Sequence, residues 1–258
     1  MKKLLILPFV LILILNSCSS DDSSSEDKSV LPQTISYIYP NIYLGTNTTI
    51  TLKYNGNKII SSTESDSKTL FTYNGDLITK QEMFEIDQQG NETKTDEAVY
   101  TYENGKLKTK IFRESITTQY PEGQYITKTV YTHSSNESIS YINYSVNINT
   151  KEETKYNEGI LTYKDGNLTK EQSGSATRVY EYDTKNNPLK NVLGFDLLLN
   201  EISEIGKNNA VKITSKACTD CSEGVYLSDY IYNDKNYPTR HTSHTNSGSI
   251  EYEIEYTY

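Results

Sequence analysis

From Ile35 onward, apolar side chains recur at every second position. Ile35, Tyr37 and Tyr39 keep this spacing, as do Ile50, Leu52 and Tyr54, while Leu107, Thr109 and Ile111 stand opposite Lys106, Lys108 and Lys110. Successive side chains of a strand point to opposite faces, so a period of two with one polar side predicts a sheet that is wet on one face. Comparable runs occupy residues 125–131, 139–148, 177–182, 210–215, 225–232 and 250–258.

Short turns punctuate these runs, and they repeat. Asn55-Gly56, Asn74-Gly75, Asn104-Gly105 and Asp165-Gly166 each follow an aromatic run and precede an apolar one. Such dipeptides favour type I′ turns, because both central residues need positive φ, which Gly accepts freely and Asn or Asp tolerate. With Asn104-Gly105 as the turn, Glu103 pairs with Lys106 and Tyr102 lies opposite Leu107; Asp165-Gly166 likewise sets Tyr163 opposite Leu168. In the two shorter units the same turn sets Leu52 against Ile59 and Phe71 against Ile78. Worn copies without the glycine stand at residues 180–187 and 230–236. The pattern predicts an all-β protein: an antiparallel meander of repeated β-hairpins forming a curled sheet or open barrel, as one domain over residues 34–258.

One stretch departs from period two. Asn187-Pro188 followed by Leu189, Val192, Leu193 and Gly194 has a helix N-cap, proline at the first helical position and glycine after the last turn. Phe195 and residues 197–199 continue it, so a short helical segment near 188–200 is expected over an open end of the sheet, as a structural plug or a functional lid.

The first residues carry an address. Met1-Lys2-Lys3 and the apolar run from Leu4 to Leu15 suit an export signal, and Leu15-Asn16-Ser17-Cys18 resembles the lipobox of bacterial lipoproteins. That resemblance implies a signal peptide over 1–17 and lipidation of Cys18, the protein being held to the membrane by its lipid and not spanning it. Residues 18–33, rich in Ser and acidic residues, are expected to form a disordered tether. Acidic residues just after the cysteine resemble the export signal of Bacteroidetes-type surface lipoproteins, which implies the outer membrane and the cell surface.

Composition agrees with strands and excludes one partner class. The chain has 23 Tyr and no Trp, and its net charge is −9. Once Lys2 and Lys3 leave with the signal, 25 basic residues fall to 23 against 34 acidic ones. Such a surface repels phosphate backbones, so no nucleic acid partner is expected. The Tyr-x-x-Asp/Asn-Gly-x-Leu units are similar to the YD repeats of Rhs-type proteins, and residues 182–191 resemble flavobacterial-type lipoproteins of unknown function. Both resemblances imply architecture and carry no activity.

Candidate chemistry is sparse. Cys218 and Cys221 suggest a local disulfide in an exported protein. With His241 and His244 they also make a four-ligand zinc set conceivable, although residues three apart on a strand point to opposite faces. Paired carboxylates stand at Glu152-Glu153 and at Glu251, Glu253 and Glu255; the latter three share one face of a regular strand, and hydrolase chemistry would attach to them. No Gly-x-Ser-x-Gly elbow, phosphate loop or calcium loop is present, so no catalytic residue, metal or cofactor is assigned. The functional expectation is an outer-membrane-anchored lipoprotein acting as a binding or scaffold module, with an envelope protein or glycan as partner. A structural envelope component and a hydrolase using the acidic strand are the alternatives.

Overall fold

The computed structural model describes residues 29–201 and 206–258; Cys18, the signal peptide and most of the tether lie outside them. Among the described residues sixteen strands form one closed antiparallel barrel, each strand pairing with its neighbours in sequence. They are β1 (Thr34–Ile38), β2 (Thr48–Asn55), β3 (Lys58–Thr63), β4 (Ser67–Asn74), β5 (Leu77–Ile86), β6 (Glu92–Glu103), β7 (Lys106–Glu114) and β8 (Tyr125–His133). The second half comprises β9 (Ser138–Val146), β10 (Glu153–Lys164), β11 (Asn167–Ser173), β12 (Ala176–Tyr182), β13 (Ala210–Lys216), β14 (Glu223–Tyr232), β15 (Pro238–His244) and β16 (Ile250–Thr257). The expected curled or open sheet is thus corrected to a closed barrel. β1 pairs with β16, so both edges are satisfied by each other.

The hairpins follow one rule. Tyr102 stands opposite Leu107 and Tyr163 opposite Leu168, as the turns predict. In the shorter units the partners are Tyr54 with Ile59 and Tyr73 with Ile78, which corrects the Leu52–Ile59 and Phe71–Ile78 pairings. The reason lies in the turn. Asn104 and Gly105, like Asp165 and Gly166, both have positive φ, the I′ pattern. In the shorter units only Gly56 and Gly75 do, at φ 58 and 57, so Gly takes the first central position of a II′ turn and Asn55 and Asn74 remain in their strands. Either turn keeps a tyrosine opposite an aliphatic residue.

One residue past each of these pairs the register slips. Lys53 partners Ser61, Thr72 partners Lys80, Thr101 partners Thr109 and Thr162 partners Lys170, leaving Ile60, Thr79, Lys108 and Thr169 as bulges. The bulge inverts the parity that strict alternation predicts. After Leu107 the inward residues are Lys110 and Phe112, not Thr109 and Ile111; Phe112 packs on the core and Lys110 meets Glu201 inside the barrel.

Tyrosine hydroxyls then tie hairpin to hairpin. Tyr102 Oη donates to the carbonyl of Ile78 at 2.7 Å, Tyr182 Oη to Leu168 at 2.7 Å, and Tyr258 Oη to Pro238 at 2.8 Å. Each acceptor is the residue opposite the tyrosine of the preceding hairpin, just before its bulge, where the ladder is interrupted and a carbonyl needs a donor. His133 takes the same role, its Nε2 lying 2.8 Å from Leu107 O. The rule also crosses the join between the termini: Tyr54 Oη donates to Pro32 O at 2.9 Å. Strands β16 and β1 therefore behave as one more hairpin whose turn is cut. Residues 30–32, expected at the end of the tether, pack here: Pro32 is buried, Leu31 touches the core, and Val30 O accepts from Asn191 Nδ2 at 3.0 Å.

The worn copy at 180–187 is an interrupted hairpin. Tyr182 stands opposite Ala210 with the usual slip beyond, but residues 183–209 replace the tight turn. This insertion folds back into the barrel. Val192, Phe195 and Leu198 are buried among Leu52, Ile78, Leu107 and Leu161, and Phe195 lies 5.9 Å from the ring of Phe71. The expected helical segment is a chain of turns ending in a 3-10 helix, Asp196–Glu201, kinked at Leu199, and it fills the interior where a segment over an open end was expected. Tyr73 Oη donates to Leu193 O at 3.1 Å, and Glu201 accepts from Lys110 and from Tyr131.

The outer wall is charged. Lys80, Glu82, Lys94, Glu97 and Arg113 form a continuous ladder across β5 to β7 with contacts of 2.6 to 2.9 Å. Lys128–Glu153, Lys212–Glu181 and Arg240–Glu253 continue it around the barrel. The inside carries Leu52, Ile59, Ile78, Leu107, Leu161 and most of the tyrosines, while Ile60, Ile160, Leu227 and Ile231 are exposed among the charges of the outer wall.

Candidate functional site

The insertion fills the half of the barrel built by β2 to β11 and leaves a cavity of about 720 Å³ against β11 to β16. Its base is the plug, through Asn187, Pro188, Leu199, Asn200, Glu201, Asn208 and Asn209. Asp183 holds that base together. Its carboxylate accepts from Asn209 N at 3.1 Å, from Lys185 N at 3.0 Å and from the hydroxyl of Tyr232. The other end faces solvent: Arg178 is exposed and Tyr226 is 44% exposed. The lumen is a cup whose closed base lies at the end where residues 29–33 join the barrel.

The wall owes its composition to period two. Tyr180 and Tyr182 on β12, Tyr226 and Tyr230 on β14, and Tyr252 and Tyr256 on β16 all face inward, with Ile213 between them. Tyr180 and Tyr182 stack at 6.4 Å. Burial pushes the hydroxyls of Tyr180 and Tyr182 above the ordinary tyrosine value, so both stay protonated. Polar groups sit among the rings. Ser228, His241 and Ser243 face in from β14 and β15, and Glu171 and Arg178 are cross-strand partners on β11 and β12.

His241 is the most buried titratable group of the wall, at 3% exposure. Its ring stacks on Tyr230 at 4.7 Å, with Tyr252 edge-on at 5.8 Å. Burial, with the charge of His244 adding to it, lowers its pKa to about 4, so the ring is neutral at neutral pH. Nε2 lies 2.9 Å from Ser228 Oγ, while Nδ1 is buried without a hydrogen-bond partner. A serine nucleophile needs a base that is itself oriented by a third group, and among the described residues no carboxylate holds Nδ1.

The acidic strand changes meaning. A register slip between Ser243 and His244 makes Glu251 a bulge that lines the cavity and accepts from Ser243 Oγ at 3.2 Å. Glu253 faces out and pairs with Arg240, and Glu255, the cross-strand partner of Arg240, is exposed. The three glutamates therefore do not share a face, and Glu253 is committed to the outer wall. His241 and His244 also part: His241 points in, and His244 Nε2 lies 3.0 Å from Asp229 on the outside. Cys218 and Cys221 are joined by a disulfide at the tip between β13 and β14, near the mouth and apart from His241. Among the described residues no group of three His, Cys, Asp or Glu side chains is placed to hold a metal ion.

The turn residues Asn55, Gly56, Asn74, Gly75, Asn104, Gly105, Asp165 and Gly166 lie at the base end and contribute no cavity wall in the cup. Sequence reasoning missed Glu171, Arg178, Ser228 and Tyr252 as neighbours. They lie on strands far apart in the chain, and the signal that unites them is an inward parity shared across β11 to β16.

No protein-family model matches the chain, and no curated protein matches it. Among solved structures, a porin-like protein from Bacteroides vulgatus is similar in fold with a TM-score of 0.58, at 15% identity over 89% of this chain and 98% of that one. A porin-like protein from Bacteroides uniformis aligns at 12% identity over 88% of this chain and 96% of that one, with a TM-score of 0.36.

Proposed function

We propose that this chain is a water-covered barrel, tethered to the outer membrane by lipid on Cys18, that captures a small molecule in its lumen. The observation that carries the reading is the inversion of the wall: ion pairs outside, tyrosines and a cup inside. A lysine or arginine on a lipid-facing strand costs roughly 2–4 kcal/mol at the bilayer midplane, and here they ring the barrel. Large barrels that lack such a plug enclose a channel, whereas here Val192, Phe195 and Leu198 of the insertion pack into the interior. The reading is binding without turnover, supported by the absence of a carboxylate behind the Ser228–His241 pair among the described residues.

The mature protein is incubated with small molecules extracted from its growth medium and examined by native mass spectrometry. Wild type is expected to retain an adduct below about 500 Da, the size that a cavity of several hundred cubic ångströms admits. The double variant Ser228→Phe/Ser243→Phe, which fills the cup, is expected to lose it. Equal adducts in both proteins, or none in either, overturn the reading. Mass spectrometry of the N-terminal peptide and protease treatment of intact cells test the anchor and the side of the membrane separately. An unlipidated Cys18, or a barrel protected from protease, overturns those parts alone.

A further inference from the structure

The charge of the cup selects among ligands. Glu171 and Glu251 both line it. Glu171 receives only long hydrogen bonds of 3.4 Å from Tyr141 and Asn200, and Glu251 one of 3.2 Å from Ser243; among the described residues neither has a lysine or arginine in ion-pair contact. Glu201 differs, since Lys110 and Tyr131 occupy it. Among the described residues the only basic side chain that lines the cup, besides the buried and neutral His241, is Arg178, which is exposed at the mouth.

We propose that the cup takes an organic cation, a small molecule carrying an ammonium group on an apolar body. This rests on the reading of the lumen as a ligand-binding cup. Tyr180 and Tyr226 line the cup with aromatic rings, whose negative quadrupole attracts a cation and whose area covers an apolar body. A neutral ligand would displace water from two carboxylates and return no charge, leaving both desolvated and unpaired. An anion would meet them directly. One ammonium together with Arg178 balances the two carboxylates, where water is excluded and Coulomb attraction is strongest.

The test compares choline with 3,3-dimethylbutan-1-ol, which has the same shape without the charge, and with maltose, by calorimetric titration of the mature protein. Choline is expected to bind at least tenfold more tightly than the alcohol. Glu251→Gln and Glu171→Gln are each expected to weaken choline about tenfold without weakening the alcohol. Both are isosteric, and the comparison of choline with the alcohol needs no variant. Equal binding of the two overturns the cation and leaves the cup standing, as does maltose binding where choline does not. Binding of none overturns the cation as well, and the filled Ser228→Phe/Ser243→Phe variant then decides whether the cup reading falls with it.

Discussion

Tyr102 illustrates what single residues contribute. Its ring is half-buried on the core and its hydroxyl donates to Ile78 O at 2.7 Å, a carbonyl next to a bulge. Tyr102→Phe keeps the ring and leaves that carbonyl unsatisfied, so a loss of about 1–3 kcal/mol in urea unfolding is expected. Tyr156→Phe, on an exposed ring, is expected to change stability by less than about 0.5 kcal/mol. His241 gives the pH dependence. Its folded pKa near 4 lies below the unfolded value near 6.5, so on acidification the unfolded chain takes up a proton that the folded protein refuses. Stability therefore falls as pH drops from 6.5 towards 4, by about 2 kcal/mol between pH 6.5 and 5. Urea titrations at the two pH values should show this slope in wild type and a much flatter one in His241→Phe. An unchanged slope in the variant would assign the effect elsewhere.

The decisive element is the insertion at residues 183–209. A hairpin whose predecessor turns in two residues at Asp165-Gly166 here opens to admit a segment that packs Val192, Phe195 and Leu198 where a barrel of this size would otherwise be hollow. Phe195→Ala removes a side chain that is 5% exposed, so a loss of about 3–5 kcal/mol is expected. Amide exchange should then rise first over residues 187–201, while β8 and β9, paired along their whole length, stay protected. Simultaneous loss of protection in the strands would show that the plug is part of the barrel's folding core. The repeat made the neighbouring hairpins legible because turn residue, aromatic partner and aliphatic partner occur within a few positions of each other. It disguised this one, because Tyr182 and Ala210 meet only across residues that obey another pattern.

At the scale of the whole molecule, closure and wall polarity act together. Joining β16 to β1 hides both edges, and the tyrosine rule continues across the join through Tyr54 and Tyr258. The ion-pair ladder is worth little in stability, since exposed pairs contribute at most about 1 kcal/mol each, yet it decides which solvent the wall accepts. Added to a planar lipid bilayer, the purified protein is expected to give no conductance steps. Stable single-channel currents would mean that the wall inserts in lipid and would overturn the water-covered reading.

Turn chemistry and period two are local, so the order of residues along the chain is enough to give the strands, their antiparallel succession and the tyrosine opposite leucine in the Asn104-Gly105 and Asp165-Gly166 hairpins. The same local logic misplaced Leu52 and Phe71, because a II′ turn and an I′ turn differ by which residue takes positive φ, a choice the surrounding sheet makes. Closure, the inward course of the plug and the cup come instead from contacts between distant parts of the chain. The bulge at Lys108 flips the parity of the residues beyond it and turns Lys110 inward, the bulge at Glu251 brings that residue itself to the lumen, and both depend on pairing with another strand. Glu171, His241 and Glu251 thus came to line one cavity only when sixteen strands curved into a ring.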